Sequence, residues 1–229
     1  MQNKKLAFGM MRLPQLDDNP EHVDLEKTCE MVDAFLQKGY TYFDTSYVYH
    51  NGKSEEFTRK ALVERHTRES FTLATKLPTW AIKSEEDVKR IFAEQLQNCG
   101  VDYFDYYLVH NLNSGFYDNI VTPYHIFEIL SEYKKEGKIK HLGFSVHDAP
   151  EFLERILNEH PEVEFVQIAF NYYDYSAAWV QSKKCYDIIR SQGKLVNIME
   201  PVKGGMLTYP PKALFEQMQA KRPGMTPAA

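Results

Sequence analysis

The chain has 229 residues, with 27 Lys and Arg against 32 Asp and Glu and a formal charge of −5. Apolar residues make up 43% and charged residues 26%, a balance that excludes a disordered or collagen-like chain. No window approaches the ~18 apolar residues of a bilayer span, MQNKKLAFGM lacks a secretory core and cleavage site, and the mild acidity offers no basic stripe for nucleic acid.

Short apolar runs alternate with amphipathic stretches along the chain. A strand is expected over Leu6–Met10, then a helix whose stripe is Leu25, Cys29, Val32, Phe35 and Leu36, closed by Gly39. Strands follow at Thr41–Asp44 and Phe71–Thr75. Ser84 with Asp87 opens a helix as an acidic capping box; Val88, Ile91, Phe92 and Leu96 face inward and Gly100 ends it. After a strand at Tyr103–Val109, Thr122-Pro123 predicts a helix start, cap then first-turn proline, and Gly137 its end. Ile139–Ser145 is the next strand, and Asp148 with Glu151 predicts a helix stopped before Pro161. Glu164–Ala169, a helix containing Trp179, Ile188 and Ile189 and ending near Gly193, and Leu195–Met199 complete the pattern.

Strand and helix alternating in units of about 30 residues imply a parallel sheet, doubly wound or closed as a barrel. No GxGxxG follows the first strand. Asp44, Lys76, His110, Ser145 and Glu200 sit at the ends of different strands, where a (β/α)₈ TIM barrel builds its site. Residues 1–229 therefore read as one barrel domain of about seven βα units. The Pro-rich YPPKALFEQMQAKRPGMTPAA holds one helical stretch and no eighth strand, so a chain truncated at its C-terminus is expected. A natural seven-stranded or domain-swapped barrel is the alternative. The open edge of an incomplete seven-unit barrel would favour self-association. Cys29, Cys99 and Cys185 stand far apart without a CxxC pair, so no disulfide framework or metal cluster is expected and a reducing cytoplasm fits.

Asp44 closes TYFD, Tyr49 follows five residues later, Lys76 ends FTLATK and His110 ends DYYLVH. Each has a bland reading as a helix cap, one tyrosine among 15, a solvated lysine or a hydrogen-bonded strand-end histidine. Together they suit carbonyl reduction. A tyrosine hydroxyl gives a proton to the developing alkoxide, a nearby ammonium favours its phenolate, and a carboxylate holds that ammonium in place. A neutral imidazole orients the carbonyl.

Phe43-Asp44-Thr45-Ser46-Tyr47-Val48-Tyr49 with Gly52-Lys53-Ser54-Glu55-Glu56 resembles the FDTA-x-x-Y…G-x-SE signature of aldo/keto reductases. Ala74–Pro78, Tyr107–Asn111, Gly143-Phe144-Ser145, and Val166-Gln167 with Asn171 resemble that family's strand-three, strand-four, strand-five and strand-six motifs. The resemblance runs from Gly9 to Gly205 and implies a catalytic tetrad of Asp44, Tyr49, Lys76 and His110, with Tyr49 as proton donor. It implies NADP(H), with NAD(H) as the alternative, bound near Gly9, Met10 and Asp44. Ser145 and Gln167 would meet the carboxamide, and Met199 would cover the ring. Pro201, Val202, Lys203, Gly204 and Gly205 would follow the pyrophosphate, or else form a Gly-Gly turn with a solvated lysine. The substrate would be a small carbonyl compound near His110, Trp80, Phe116 and Tyr117, with no nucleic-acid or membrane partner.

Val146 stands where the family often has asparagine. MMRLP, YHNGKSEE, GFSVHD and MEPVKGG are similar to a bacterial branch that often carries a cysteine-rich ferredoxin-like extension; this chain has no such cysteines. The family's strand-eight segment, which reads the 2′-phosphate, is not expected within these residues. An inactive barrel fragment unable to hold the cofactor is therefore one alternative. A metal-dependent barrel hydrolase using Asp44, His110, His141 and His147 is another, weakened by the absence of an HxH pair and by His141 beginning its strand.

Overall fold

The computed structural model describes residues 4–178 and 180–226. Seven strands, β1 (Ala7–Gly9), β2 (Tyr42–Asp44), β3 (Thr72–Pro78), β4 (Phe104–Leu112), β5 (Ile139–Val146), β6 (Phe165–Ala169) and β7 (Leu195–Met199), form one sheet. They pair in chain order and all in parallel. Helices α1 (Leu25–Gln37), α2 (Ser54–Thr58), α3 (Glu85–Cys99), α4 (Ile126–Lys135), α5 (Pro150–Glu159), α6 (Ser182–Ser191) and α7 (Lys212–Lys221) follow the seven strands in turn. The expected β/α alternation is thus realised seven times.

Alternation along each strand divides the side chains between two faces. Phe43, Leu73, Leu77, Tyr107, Val109, Phe144, Val166 and Ile168 point outward into a large core shared with the helices. Ala74, Leu108 and Phe165 point inward with Tyr42 and Tyr106 into a separate small cluster. The inner face curls far enough for side chains to meet across it. Asn197 Nδ2 on β7 donates to the Tyr42 hydroxyl on β2 at 2.8 Å, and Gln167 on β6 reaches Asp44 on β2. Among the described residues β1 pairs only with β2, and β7 only with β6.

Several local signals act as expected. Ser84 caps α3 by accepting from the Asp87 N–H at 3.3 Å, and Gly100 ends that helix in the left-handed conformation. Asp24 caps α1 through the Lys27 N–H. Two expected starts are corrected. Thr122 does not cap α4: Tyr117–Val121 already forms a helical turn, the Thr122 N–H bonds the Tyr117 carbonyl, and α4 begins only after left-handed His125. Asp148 does not cap α5 either. Its carboxylate accepts from the Ser114 N–H at 2.7 Å and the Ala149 N–H at 2.6 Å, tying the loop after β4 to the loop after β5. Of the residues expected in α6, Ile188 and Ile189 lie within it; Trp179 lies outside the described residues.

Gly143 shows how tightly the inner face is filled. A Cβ there would lie 2.5 Å from the Phe165 carbonyl oxygen and 2.6 Å from its ring. Gly143→Ala is therefore expected to cost about 1–3 kcal/mol of stability by overpacking, readable as a lower urea midpoint at unchanged slope.

Candidate active site

The inward positions at the C-terminal ends of the strands carry polar groups. Lys76, 1% exposed on β3, is the centre of the set. Its Nζ donates to Asp44 Oδ1 at 2.5 Å and to the Thr45 carbonyl at 2.7 Å, and lies 4.7 Å from the centroid of the Tyr49 ring. An ammonium so buried is stable only when paired and hydrogen-bonded. Burial by itself disfavours its charge, but Asp44 and then Tyr49 outweigh that and hold the lysine pKa above its ordinary value. The other Asp44 oxygen accepts from Gln167 Nε2 at 3.1 Å.

His110 stands beside Tyr49, with ring centroids 6.1 Å apart, and its Nδ1 is 3.2 Å from the Ser46 hydroxyl. Burial, then the charge of Lys76 and the proximity of His147, push its pKa down to about 3. His110 is a neutral imidazole at physiological pH. Asp44, Tyr49, Lys76 and His110, from three strands and one loop, are thus brought together as expected.

An open cavity of about 520 Å³ lies over them, lined by Met11, Pro20, Val48, Tyr49, His50, Asn51, Trp80, His110, Asn111 and His147. Trp80 leans on His110 at 5.2 Å, and Phe116 on Trp80 at 6.3 Å. Tyr117 must be corrected. The helical turn that Phe116 precedes sends it to the opposite side, where it is buried against Phe152 and its hydroxyl bonds Glu159 and His160. Met10 is corrected likewise. Its side chain is fully buried in the helix-facing core, and its carbonyl accepts from the Ser54 hydroxyl and lies 3.0 Å from His50 Nε2. Neighbouring Met11 reaches the cavity instead.

Ser145 and Gln167 occupy paired inner positions of β5 and β6. Ser145 Oγ accepts from the Asn111 N–H at 2.8 Å. Gly9 ends β1 exposed, and Met199 ends β7 half-buried. Pro201 and Val202 lead into a turn where Lys203, Gly204 and Gly205 are all left-handed. Lys203 is not a solvated cation: its Nζ donates at 2.7 Å to Asp174, whose side chain is fully buried.

Motif reading gives no role to His50 or Asn51, and gives His147 one only as a ligand in the metal-hydrolase alternative, yet all three line the cavity together with Asn111. His50 adjoins Tyr49 in a left-handed conformation and ties that turn to two others, with Nδ1 2.7 Å from the Pro20 carbonyl and Nε2 3.0 Å from the Met10 carbonyl. Its adjacency to Tyr49 was the one available signal. His141, considered as a metal ligand, lies near the start of β5, stacked on Tyr106 and beside Glu164. Among the described residues no three His, Cys, Asp or Glu side chains converge as a metal site.

A sequence profile of the Aldo/keto reductase family matches residues 5–224. The chain belongs to the aldo/keto reductase family. It is 27% identical over 215 residues to an aldo-keto reductase of Strobilurus tenacellus, covering 89% of this chain and 60% of that protein. It is 26% identical over 198 residues to an NADH-specific methylglyoxal reductase of Escherichia coli, covering 77% and 58%. The chain thus spans about three-fifths of the length of these two relatives. An aldo-keto reductase from Klebsiella pneumoniae, solved in complex with NADPH, superposes with a TM-score of 0.74 at 18% identity, covering 99% of this chain and 74% of that one. The shared fold is the family's (β/α)₈ barrel, of which these residues form seven units.

The histidine's environment sets an acid limb. Unfolded, the imidazole titrates near 6.5; folded, it titrates at about 3. Between those values the unfolded chain binds a proton that the native site refuses, so this contribution to stability is complete above pH 6.5 and is lost as pH falls toward 3. Urea midpoints measured from pH 7 to pH 3 should fall less steeply in His110→Gln than in the parent.

Proposed function

We propose that this chain reduces aldehydes or ketones to alcohols, reversibly, with NADP(H) or NAD(H) as the hydride partner. The observation that carries the reading is the buried Lys76–Asp44 pair under Tyr49, beside a neutral His110, at the wall of an open cavity. Family membership supports it, and so do the relatives, one named NADH-specific and one solved with NADPH.

The donor set fits a nicotinamide. Its carboxamide needs one donor and one acceptor, and the Ser145 hydroxyl and the Gln167 amide oxygen supply them from paired positions. Gln167 already uses its Nε2 on Asp44, which leaves the oxygen for a ligand. Gly9 and Met199 stand at the C-terminal ends of β1 and β7, with Pro201 and Val202 in the loop that follows β7. At Gly205, open space where a side chain would stand allows backbone to approach a diphosphate. Lys203 contributes less than an isolated cation would, because Asp174 neutralises it. When bound, the nicotinamide supplies or accepts the hydride.

The chain's own groups handle the proton. The Tyr49 hydroxyl donates to the carbonyl oxygen as negative charge develops there. The Lys76 ammonium favours the phenolate left behind, and Asp44 keeps that ammonium charged and fixed. Neutral His110 donates a ring N–H to the same oxygen and orients the carbonyl without adding a competing charge. Trp80 offers an apolar wall to the rest of a small carbonyl substrate, with Phe116 behind it.

We also propose a cytoplasmic setting and self-association. Cys29, Cys99 and Cys185 are unpaired, which suits a reducing compartment. No helix among the described residues is long and apolar enough to cross a membrane. Leu195 and Ile198 on β7 are exposed beside unpaired strand backbone, a surface that favours pairing between copies. Sedimentation velocity should show dimer growing with concentration; a monomer at every concentration overturns this part.

The reaction is tested by following NADPH and NADH absorbance with small aldehydes, and cofactor binding by quenching of Trp and Tyr fluorescence. Tyr49→Phe should lower kcat by ~10²–10⁴-fold while leaving cofactor affinity unchanged. Saturable binding without Tyr49-dependent reduction would refute the assigned chemistry, and no binding by the folded chain would refute the cofactor reading.

A further inference from the structure

Behind β3, on the side away from the cavity, lies a buried polar cluster that the proposed reaction does not itself use. Glu55, in the first turn of α2, is fully buried. Its Oε1 accepts from Thr75 Oγ1 at 2.7 Å and Gln95 Nε2 at 2.9 Å, and its Oε2 accepts from Asn98 Nδ2 at 3.2 Å. Gln95 on α3, also fully buried, donates from Nε2 to the Lys76 carbonyl at 3.0 Å and accepts the Tyr107 hydroxyl on Oε1 at 2.5 Å. Two helices therefore grip β3 at Thr75 and at Lys76, whose side chain pairs with Asp44 beside Tyr49.

The two faces of the strand explain the arrangement. Thr75 projects outward to Glu55 and Lys76 inward to Asp44, as successive strand residues must. Every partner of Glu55 is a donor in this network, and an ionised carboxylate satisfies such a set because it only accepts. Burial holds the Glu55 carboxyl above its usual range, offset only in part by the hydrogen bonds of Thr75, Asn98 and Gln95 and by the charge of Lys76. The titratable groups facing this carboxylate are Lys76 from β3, Cys99 from α3 and Tyr107 from β4. Those facing Lys76 on its other side are Asp44, Tyr49 and His110.

We propose that Glu55, acting through Thr75 and Gln95, is a positioning residue for Lys76: it fixes the strand from which the lysine projects and keeps a second negative charge behind the ammonium. The proposal rests on reading Asp44, Tyr49, Lys76 and His110 as the reducing site. An ammonium held between carboxylates in front and behind stays protonated and aimed at Tyr49 while the tyrosine gives up its proton. Neither Glu55 nor Gln95 lines the cavity, so neither touches substrate.

Two variants test it, Glu55→Gln, which withdraws the charge, and Gln95→Met, nearly isosteric, which removes the grip on the Lys76 carbonyl. The first readout needs no substrate: the ¹⁵N spectrum of the Lys76 ammonium, identified by its loss in Lys76→Met. A slowly exchanging signal is expected in the parent, with water exchange faster by about tenfold in each variant at unchanged far-UV circular dichroism. The second readout is kinetic. In Gln95→Met kcat should fall about tenfold with KM for the carbonyl unchanged; in Glu55→Gln the alkaline limb of the pH–kcat profile should move down by about half a pH unit. Should Glu55→Gln not fold, Gln95→Met decides. An ammonium signal and a kcat equal to the parent's in every variant that folds overturn the proposal. A parent that reduces no carbonyl refutes the underlying reading instead, and the ammonium signal alone then decides whether Glu55 positions Lys76.

Discussion

A lysine buried to 1% exposure imposes the strictest condition in this chain. An uncompensated ammonium in such surroundings would lose its proton or destabilise the fold. Its partners come from elsewhere in the sequence: the Asp44 carboxylate and Thr45 carbonyl across the β2–β3 pair, with Gln167 bracing Asp44 from β6. The first two form between neighbouring strands, but the Gln167 brace exists only once the sheet has curled and brought β6 to β2. The site and the curl of the sheet are therefore one structural fact, and the same charge that demands the pairing is the one placed beside Tyr49.

Strand alternation does the sorting. Inner positions of β2, β3, β5 and β6 carry aromatic or small groups low down, Tyr42, Ala74, Gly143 and Phe165, and polar groups at the C-terminal end, Asp44, Lys76, Ser145 and Gln167. Outer positions carry the apolar core beneath the helices. Glu55, Gln95 and Tyr107 are the exception, a polar knot in the outer layer, and it lies directly behind Lys76.

The errors of sequence reading share one cause. Met10 and Tyr117, expected at the site from their neighbourhood along the chain, direct their side chains elsewhere, to the helix-facing core and to Glu159 and His160. The missed helix starts are similar, since Asp148 serves two loops rather than a cap. Side chains in irregular segments follow local backbone turns that hydrophobic periodicity does not encode.

The sequence by itself determined the number and order of the strands, their parallel pairing and the strands whose C-terminal parts carry Asp44, Lys76 and His110, because short-range periodicity and βα connectivity are local properties of the chain. Only the tertiary structure decided that Lys76 pairs with Asp44 in front while the Glu55–Gln95 cluster holds its strand from behind, that His50 and His147 face the same cavity as Tyr49, and that Lys203 pairs with Asp174. Those outcomes depend on which groups meet across tens of residues once water is excluded. Burial and pairing are properties of the folded volume, and no spacing along the chain specifies them.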